Sequence, residues 1–203
     1  MIIGLLHRIA KNSLERPNIF IAIVFFLLPF VFSISARLGF GFPINVIALS
    51  INVGAALIFW IASVGLLYIL IRLVKGAPAL KFTGLLTGQS FIHLFNFILS
   101  VFVLALFLFL FPGFFGVMAG ALQQQQFGEA ELAQVFSQLQ SQPETILLIG
   151  FTILIAVFVA VLLISAYLIY LLIEFAGQGS RKQNWLIFIA WLLIVSVVQY
   201  FLL

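Results

Sequence analysis

Four polar residues inside one hydrophobic run have the types and spacing that could do chemistry: Gln89, His93, Asn96 and Ser100. They follow one another at steps of four, three and four residues, so on an α-helix they share a narrow arc of one face. An imidazole between two amides could carry a proton, ligate a haem iron or line a polar binding pocket. The same stripe could instead form hydrogen bonds to a neighbouring helix, which is the common role of such groups in membranes.

The rest of the sequence offers no second buried ionisable group to act with this stripe. All five acidic residues are predicted at or outside the membrane interfaces, and the chain has no cysteine and no H-E-x-x-H zinc motif. His7 is the only other histidine, so a haem held by His7 and His93 is conceivable but has no further support. We therefore predict no catalytic residue, metal site or cofactor, and a protein that is not an enzyme.

The composition assigns the chain to the membrane. Of its 203 residues, 65% are hydrophobic and 7% are charged, and the mean hydropathy is +1.34. A water-facing surface needs charged side chains over about a quarter of its area, which this chain cannot supply. The net charge of +4 comes from nine Lys and Arg residues clustered beside apolar runs, so it indicates membrane topology and no nucleic-acid partner.

Five apolar runs are long enough to cross a hydrocarbon core of about 30 Å as helices. We predict an all-α polytopic membrane domain over residues 1–203, with transmembrane helices at 18–36, 44–71, 85–111, 145–173 and 185–203.

Two further helices are predicted at the membrane surface. Residues 2–16 alternate apolar and basic side chains at helical spacing, which predicts an amphipathic interfacial helix before the first span. The loop at 112–144 contains Leu132, Val135, Phe136 and Leu139 at i, i+3, i+4 and i+7, which predicts a second, short amphipathic helix there.

The basic residues predict the orientation. With five spans, eight of the nine lie on one side and Arg37 alone lies on the other. The positive-inside rule then places the amino terminus in the cytoplasm and the carboxy terminus outside. The residues predicted at the cytoplasmic interface are Arg8, Lys11, Arg16, Arg72, Lys75, Lys81, Arg181 and Lys182.

Other residues are candidates for helix packing. Gly84 and Gly88 form a small-xxx-small pair about 100° round the helix from the polar stripe. Asn45, Asn52 and Ser63 lie close to one face of the second run, and we expect Asn52 to hydrogen-bond a neighbouring helix.

The order of these elements, with a basic amino terminus, five spans and basic inward loops, resembles the Yip domain family of membrane proteins. The stretch LLYILIRLVKGAPALKFTGLLTGQSFIHLF is similar to the family's join between its second and third spans. The stretch LLIEFAGQGSRKQNWLIFIAW is similar to the join between its fourth and fifth. Gln89 and His93 stand where the family commonly has tyrosine and proline, and the acidic-aromatic amino-terminal motif of eukaryotic members is missing.

The resemblance implies a prokaryotic-type member and a non-enzymatic scaffold or adaptor that organises membrane components. Its expected partners are the lipid bilayer and other membrane proteins or a second copy, and the expected location is the cell membrane if the source is prokaryotic. Two alternatives stay open. One is a small transporter or channel lined by Gln89, His93 and Asn96, and the other is an accessory subunit of a larger membrane complex.

Overall fold

The computed structural model describes residues 2–40, 44–110, 137 and 144–202. Regular structure in these ranges is helical, which confirms the all-α prediction. The helices are α1 (Ile2–Glu15), α2 (Ile19–Gly39), α3 (Val46–Lys75), α4 (Phe82–Leu110), α5 (Glu144–Phe175) and α6 (Arg181–Leu202). The short helix predicted within 112–144 lies outside the described residues.

Five of these helices are long and apolar enough to cross a membrane, which confirms the predicted number of spans. The crossing segments are Ile19–Gly39, Val46–Lys75, Phe82–Leu106, Leu148–Phe175 and Arg181–Tyr200, with 20 to 30 residues each. At 1.5 Å per residue the shortest already covers about 30 Å. The chain is thus a multi-pass integral membrane protein.

Local sequence signals explain where several helices begin and end. Asn18 and Asn45 cap α2 and α3, because each side-chain oxygen accepts the backbone N–H three residues later, at 3.1 and 3.0 Å. Ser180 and Gln183 form a capping box at the start of α6, in which each side chain bonds the backbone N–H of the other at 3.3 and 2.8 Å. Gly76 ends α3 with a φ of 59°, a conformation that glycine adopts without strain.

The helices contribute to two compact units. The first comprises Met1–Phe26, Asn52–His93 and Leu163–Leu203, and the second comprises Leu27–Ile51 and Leu94–Leu162. Buried apolar side chains from α3 to α6 fill the interior of the first unit; they include Leu67, Ile71, Leu85, Leu168, Leu172 and Ile187. In the second unit, Phe32 of α2 meets Phe97 of α4 edge to face at 5.7 Å.

One side of the amino-terminal helix α1 is buried and another is exposed. Leu6, Ala10 and Ser13 are buried within the first unit, whereas Ile2 and Leu5 are more than half exposed. The predicted amphipathic helix is therefore present. The structure adds that one of its faces packs on protein, so that only part of its apolar surface is free to meet lipid.

Candidate functional site

The first two turns of α4 are enclosed by other helices of the first unit. Every residue from Gly84 to Ser90 is buried, although these residues include two glycines, a threonine, a glutamine and a serine. Small and hydrogen-bonding residues let helix backbones approach closely in a membrane, where hydrophobicity alone does not drive helices together. This segment is the centre of the candidate site.

Each of the two glycines faces a different helix. A Cβ atom built on Gly84 would lie 3.1 Å from the Cα of Leu14 and 3.2 Å from the carbonyl oxygen of Ser13, both in the backbone of α1. A Cβ atom built on Gly88 would lie 2.9 Å from Cδ1 of Leu172 in α5. A larger side chain at Gly84 would push the backbone of α1 away from α4, whereas one at Gly88 would first displace the Leu172 side chain.

Gln89, the first residue of the polar stripe, is held inside the helix bundle. Its amide nitrogen donates to the Ser63 hydroxyl of α3 at 3.0 Å, and only 5% of the residue is exposed. The indole N–H of Trp191 in α6 donates to the Ser63 carbonyl oxygen at 3.1 Å. Ser63 therefore joins α3, α4 and α6 through two hydrogen bonds. Both bonds satisfy N–H groups that lipid could not hydrogen-bond.

His93, the second stripe residue, is packed among aromatic rings. The rings of Phe26 and Trp60 stack with centroids 4.9 Å apart. The imidazole meets both edge-on, at 5.1 Å from Phe26 and 5.3 Å from Trp60. His93 has no hydrogen bond within the described part of the chain. His93 therefore fills space in an aromatic cluster, and among the described residues it belongs to no group of His, Cys, Asp or Glu that could hold a metal ion.

Asn96 and Ser100 lie farther along α4, in the second unit, and both side chains are exposed. The Ser100 hydroxyl donates to the backbone carbonyl of Asn96 at 2.9 Å, a local bond within the helix. Asn52 of α3 is exposed as well. Neither the Asn96 nor the Asn52 amide has a hydrogen bond within the described ranges, so the bond expected for Asn52 is not seen there.

The stripe therefore does not act as one site. Gln89 is bonded in the interior, His93 is packed against aromatic rings, and Asn96 and Ser100 face outward. Within the described ranges, no three His, Cys, Asp or Glu residues lie close enough to hold a metal ion. The two histidines belong to separate clusters, since His7 bonds the Tyr167 hydroxyl of α5 at 3.0 Å.

That His7 contact anchors α1. Besides its bond to Tyr167, the ring meets Phe175 edge-on at 5.5 Å. Both partners lie near the end of α5, more than 150 residues away in the sequence. The amphipathic pattern of residues 2–16 does not predict these partners, because nothing in the spacing distinguishes His7 from the other polar residues of α1.

Lys75 is the basic residue with the most specific role in the structure. Its ammonium group donates to the carbonyl oxygens of Ile173 and Gly177, the latter at 3.2 Å, at the end of α5. Backbone carbonyls at a helix end have no partner within the helix, and a cation there also offsets the negative end of the helix dipole. The predicted interfacial lysine thus joins the end of α3 to the end of α5.

Glycines in the loop between α5 and α6 make room for Lys75. A Cβ atom on Gly179 would lie 2.9 Å from Cε of Lys75, and one on Gly177 would lie 2.9 Å from Cβ of Ala77. The Gln183 amide also donates to the Val74 carbonyl oxygen at 3.4 Å. The α3–α4 and α5–α6 loops are therefore packed on each other.

The remaining predicted interfacial cations are exposed. Arg72 bonds the Tyr68 hydroxyl at 2.8 Å and lies 5.4 Å from the centre of that ring, and Lys11 lies 3.8 Å from Glu15 one turn away on α1. Arg8, Arg16, Lys81, Arg181 and Lys182 are exposed without an ion pair in the described part of the chain.

Comparison of the chain with protein-family models, with curated proteins and with solved structures finds no match.

Proposed function

We propose that this protein is a non-enzymatic membrane scaffold or adaptor that acts through contacts between its helices and those of other membrane proteins or of a second copy. The observation that carries the proposal is the Asn96 side chain, which is exposed on a membrane-spanning helix. The resemblance to the Yip domain family supports the same class of function. It also supports a prokaryotic cell membrane as the location, with the amino terminus in the cytoplasm.

Asn96 lies near the middle of its crossing segment. It is about 21 Å along the helix axis from Phe82 and about 15 Å from Leu106, the two ends of the crossing segment, at 1.5 Å per residue. Transfer of an amide from water to an apolar medium, where it has no hydrogen bond, costs about 4–8 kcal/mol of free energy. A polar side chain of a partner helix would relieve much of that cost, so an exposed amide at this depth favours helix association.

The other polar residues of the stripe support a scaffold over a transport pathway. A pathway for ions or polar solutes needs polar side chains that face a water-filled space. Gln89 is instead bonded to Ser63 in the protein interior, and His93 packs against two aromatic rings. His93 thus packs edge-on against the stacked pair of Phe26 and Trp60, and both contacts join helices of this protein to one another.

Site-specific photo-crosslinking in intact membranes tests the proposal. A photo-crosslinking amino acid replaces Ser100, which lies one turn from Asn96 near the same face and leaves the amide in place. The matched control replaces Ile98, which is on the same helix, at similar depth and 54% exposed, but points to the opposite side. We expect a protein adduct from position 100 and little from position 98, and a loss of that adduct in the Asn96→Leu variant.

The mass of the adduct distinguishes a second copy from another membrane protein. Equal adduct yields from positions 100 and 98, or a yield at position 100 that Asn96→Leu leaves unchanged, would refute an interface at Asn96.

A further inference from the structure

A small basic cavity lies where α1 turns into α2. Its volume is about 190 Å³, and the residues that define its character are Arg8, Asn12, Arg16, Ile21, Thr87 and Phe91. At about 30 Å³ per water molecule in the liquid, this space equals about six waters, which is enough for a phosphate group and the atoms attached to it. All of its lining residues belong to the first unit.

The open side of the cavity is cationic. Arg8 and Asn12 of α1 and Arg16, directly after it, follow at steps of four residues, so their side chains lie near one face. Both arginines are exposed and have no acidic partner in the described part of the chain, where Glu15 lies beside Lys11 instead. Two guanidinium groups and an amide offer several N–H donors to one anion, a set that suits phosphate oxygens.

The inner side of the cavity is fixed and turns apolar toward the membrane. The Thr87 hydroxyl accepts the backbone N–H of Asn18 at 3.1 Å and donates to the Thr83 carbonyl oxygen at 2.8 Å, which ties the start of α2 to α4. Beyond Thr87, the wall is formed by Ile21 and Phe91, both within crossing segments. The lining therefore combines charged side chains of the α1 region with apolar side chains of the crossing helices α2 and α4.

From this arrangement we infer a binding site for an anionic glycerophospholipid, with its phosphate between Arg8 and Arg16 and the start of an acyl chain along Ile21 and Phe91. A soluble phosphate ester would use the arginines but has no hydrocarbon chain to pack along the apolar wall. The combined lining therefore favours a lipid. The inference does not rest on the proposed scaffold function, since it concerns a different surface from Asn96.

Lipid retention by the purified full chain, measured by native mass spectrometry in mild detergent, tests this inference. The protein is titrated with phosphatidylglycerol and, separately, with zwitterionic phosphatidylcholine. We expect phosphatidylglycerol to be retained at lower concentration, and the double variant Arg8→Gln/Arg16→Gln to bind it about tenfold more weakly. A charged hydrogen bond is worth about that factor, and screening at an exposed site reduces the contribution of each arginine.

The double variant Lys11→Gln/Lys182→Gln is the matched control, because it removes the same charge from exposed positions outside the cavity. It should retain phosphatidylglycerol nearly as the unmodified protein does. Equal losses in the two double variants would show that net charge alone attracts the lipid and would overturn the site. Soluble glycerol 3-phosphate that displaces the lipid at equal concentration would overturn the lipid assignment and indicate a phosphate-ester site.

Discussion

Replacing Lys75 by methionine should destabilise the first unit by about 2 kcal/mol. Methionine keeps a long apolar side chain but removes the ammonium group that donates to the Ile173 and Gly177 carbonyl oxygens. A hydrogen bond from a charged donor contributes about 1.5–3 kcal/mol. Two such bonds would give at least about 3 kcal/mol, and we lower this to about 2 because Lys75 is only partly buried and its carbonyl partners can be hydrated at the interface.

The assay is unfolding by sodium dodecyl sulfate from mild detergent micelles, followed by tryptophan fluorescence. Trp60 and Trp191 are buried in the first unit, 5% and 8% exposed, and therefore report on the part of the protein that contains Lys75. The control is Lys182→Met, which removes the same charge from an exposed lysine near the start of α6. We expect this control to differ from the unmodified protein by less than about 0.5 kcal/mol.

Equal unfolding midpoints for Lys75→Met and Lys182→Met would refute the reasoning. That result would mean that water hydrogen-bonds the carbonyl oxygens at the end of α5 equally well when the lysine is absent. The contact between α3 and α5 would then depend on apolar packing alone.

Three further outcomes are expected. Gly84→Val should displace α1, so a cysteine at Ala10, which is 0% exposed, should react with maleimide several times faster in that variant than in the Gly84 background; equal rates would contradict the close approach. His93→Leu should lower the free energy of unfolding by less than about 1 kcal/mol, and loss of a transport or binding activity with the fold intact would instead assign His93 a functional role. Because the chain has no native cysteine, a cysteine at Gln125 should react with an impermeant reagent from outside and one at Lys182 only after permeabilisation; the reverse pattern would invert the topology.

Hydropathy predicted the spans but not the ends of the helices. The hydropathy pattern predicts that the second span ends at residue 71, yet α3 continues to Lys75. It predicts that the third and fifth spans start at 85 and 185, whereas α4 begins at Phe82 and α6 at Arg181. Charged and polar residues lower the hydropathy at the interface but do not interrupt the backbone hydrogen bonds. The helix therefore extends beyond the apolar run.

The polar stripe shows a second limit of sequence patterns. Helical spacing predicts faces for Gln89 and Ser63 that could bond to other helices, but it does not indicate that Ser63 is the partner of Gln89 or that Asn52 is exposed. Spacing defines a direction around one helix. The partner depends on how far two helices are displaced along each other, and that displacement is set by packing between residues distant in the sequence.

The small residues of α4 show how that displacement is set here. Gly84 brings the backbone of α1 to α4, and Gly88 does the same for the Leu172 side chain of α5. With α1 held at that distance, His7 reaches Tyr167, and Leu6 is buried. The amphipathic pattern of α1 is shared by helices that only lie on a membrane, so the pattern does not indicate docking. The docking depends on Gly84, which is distant from α1 in the sequence. A substitution at Gly84 should therefore free α1 even though every residue of α1 is unchanged.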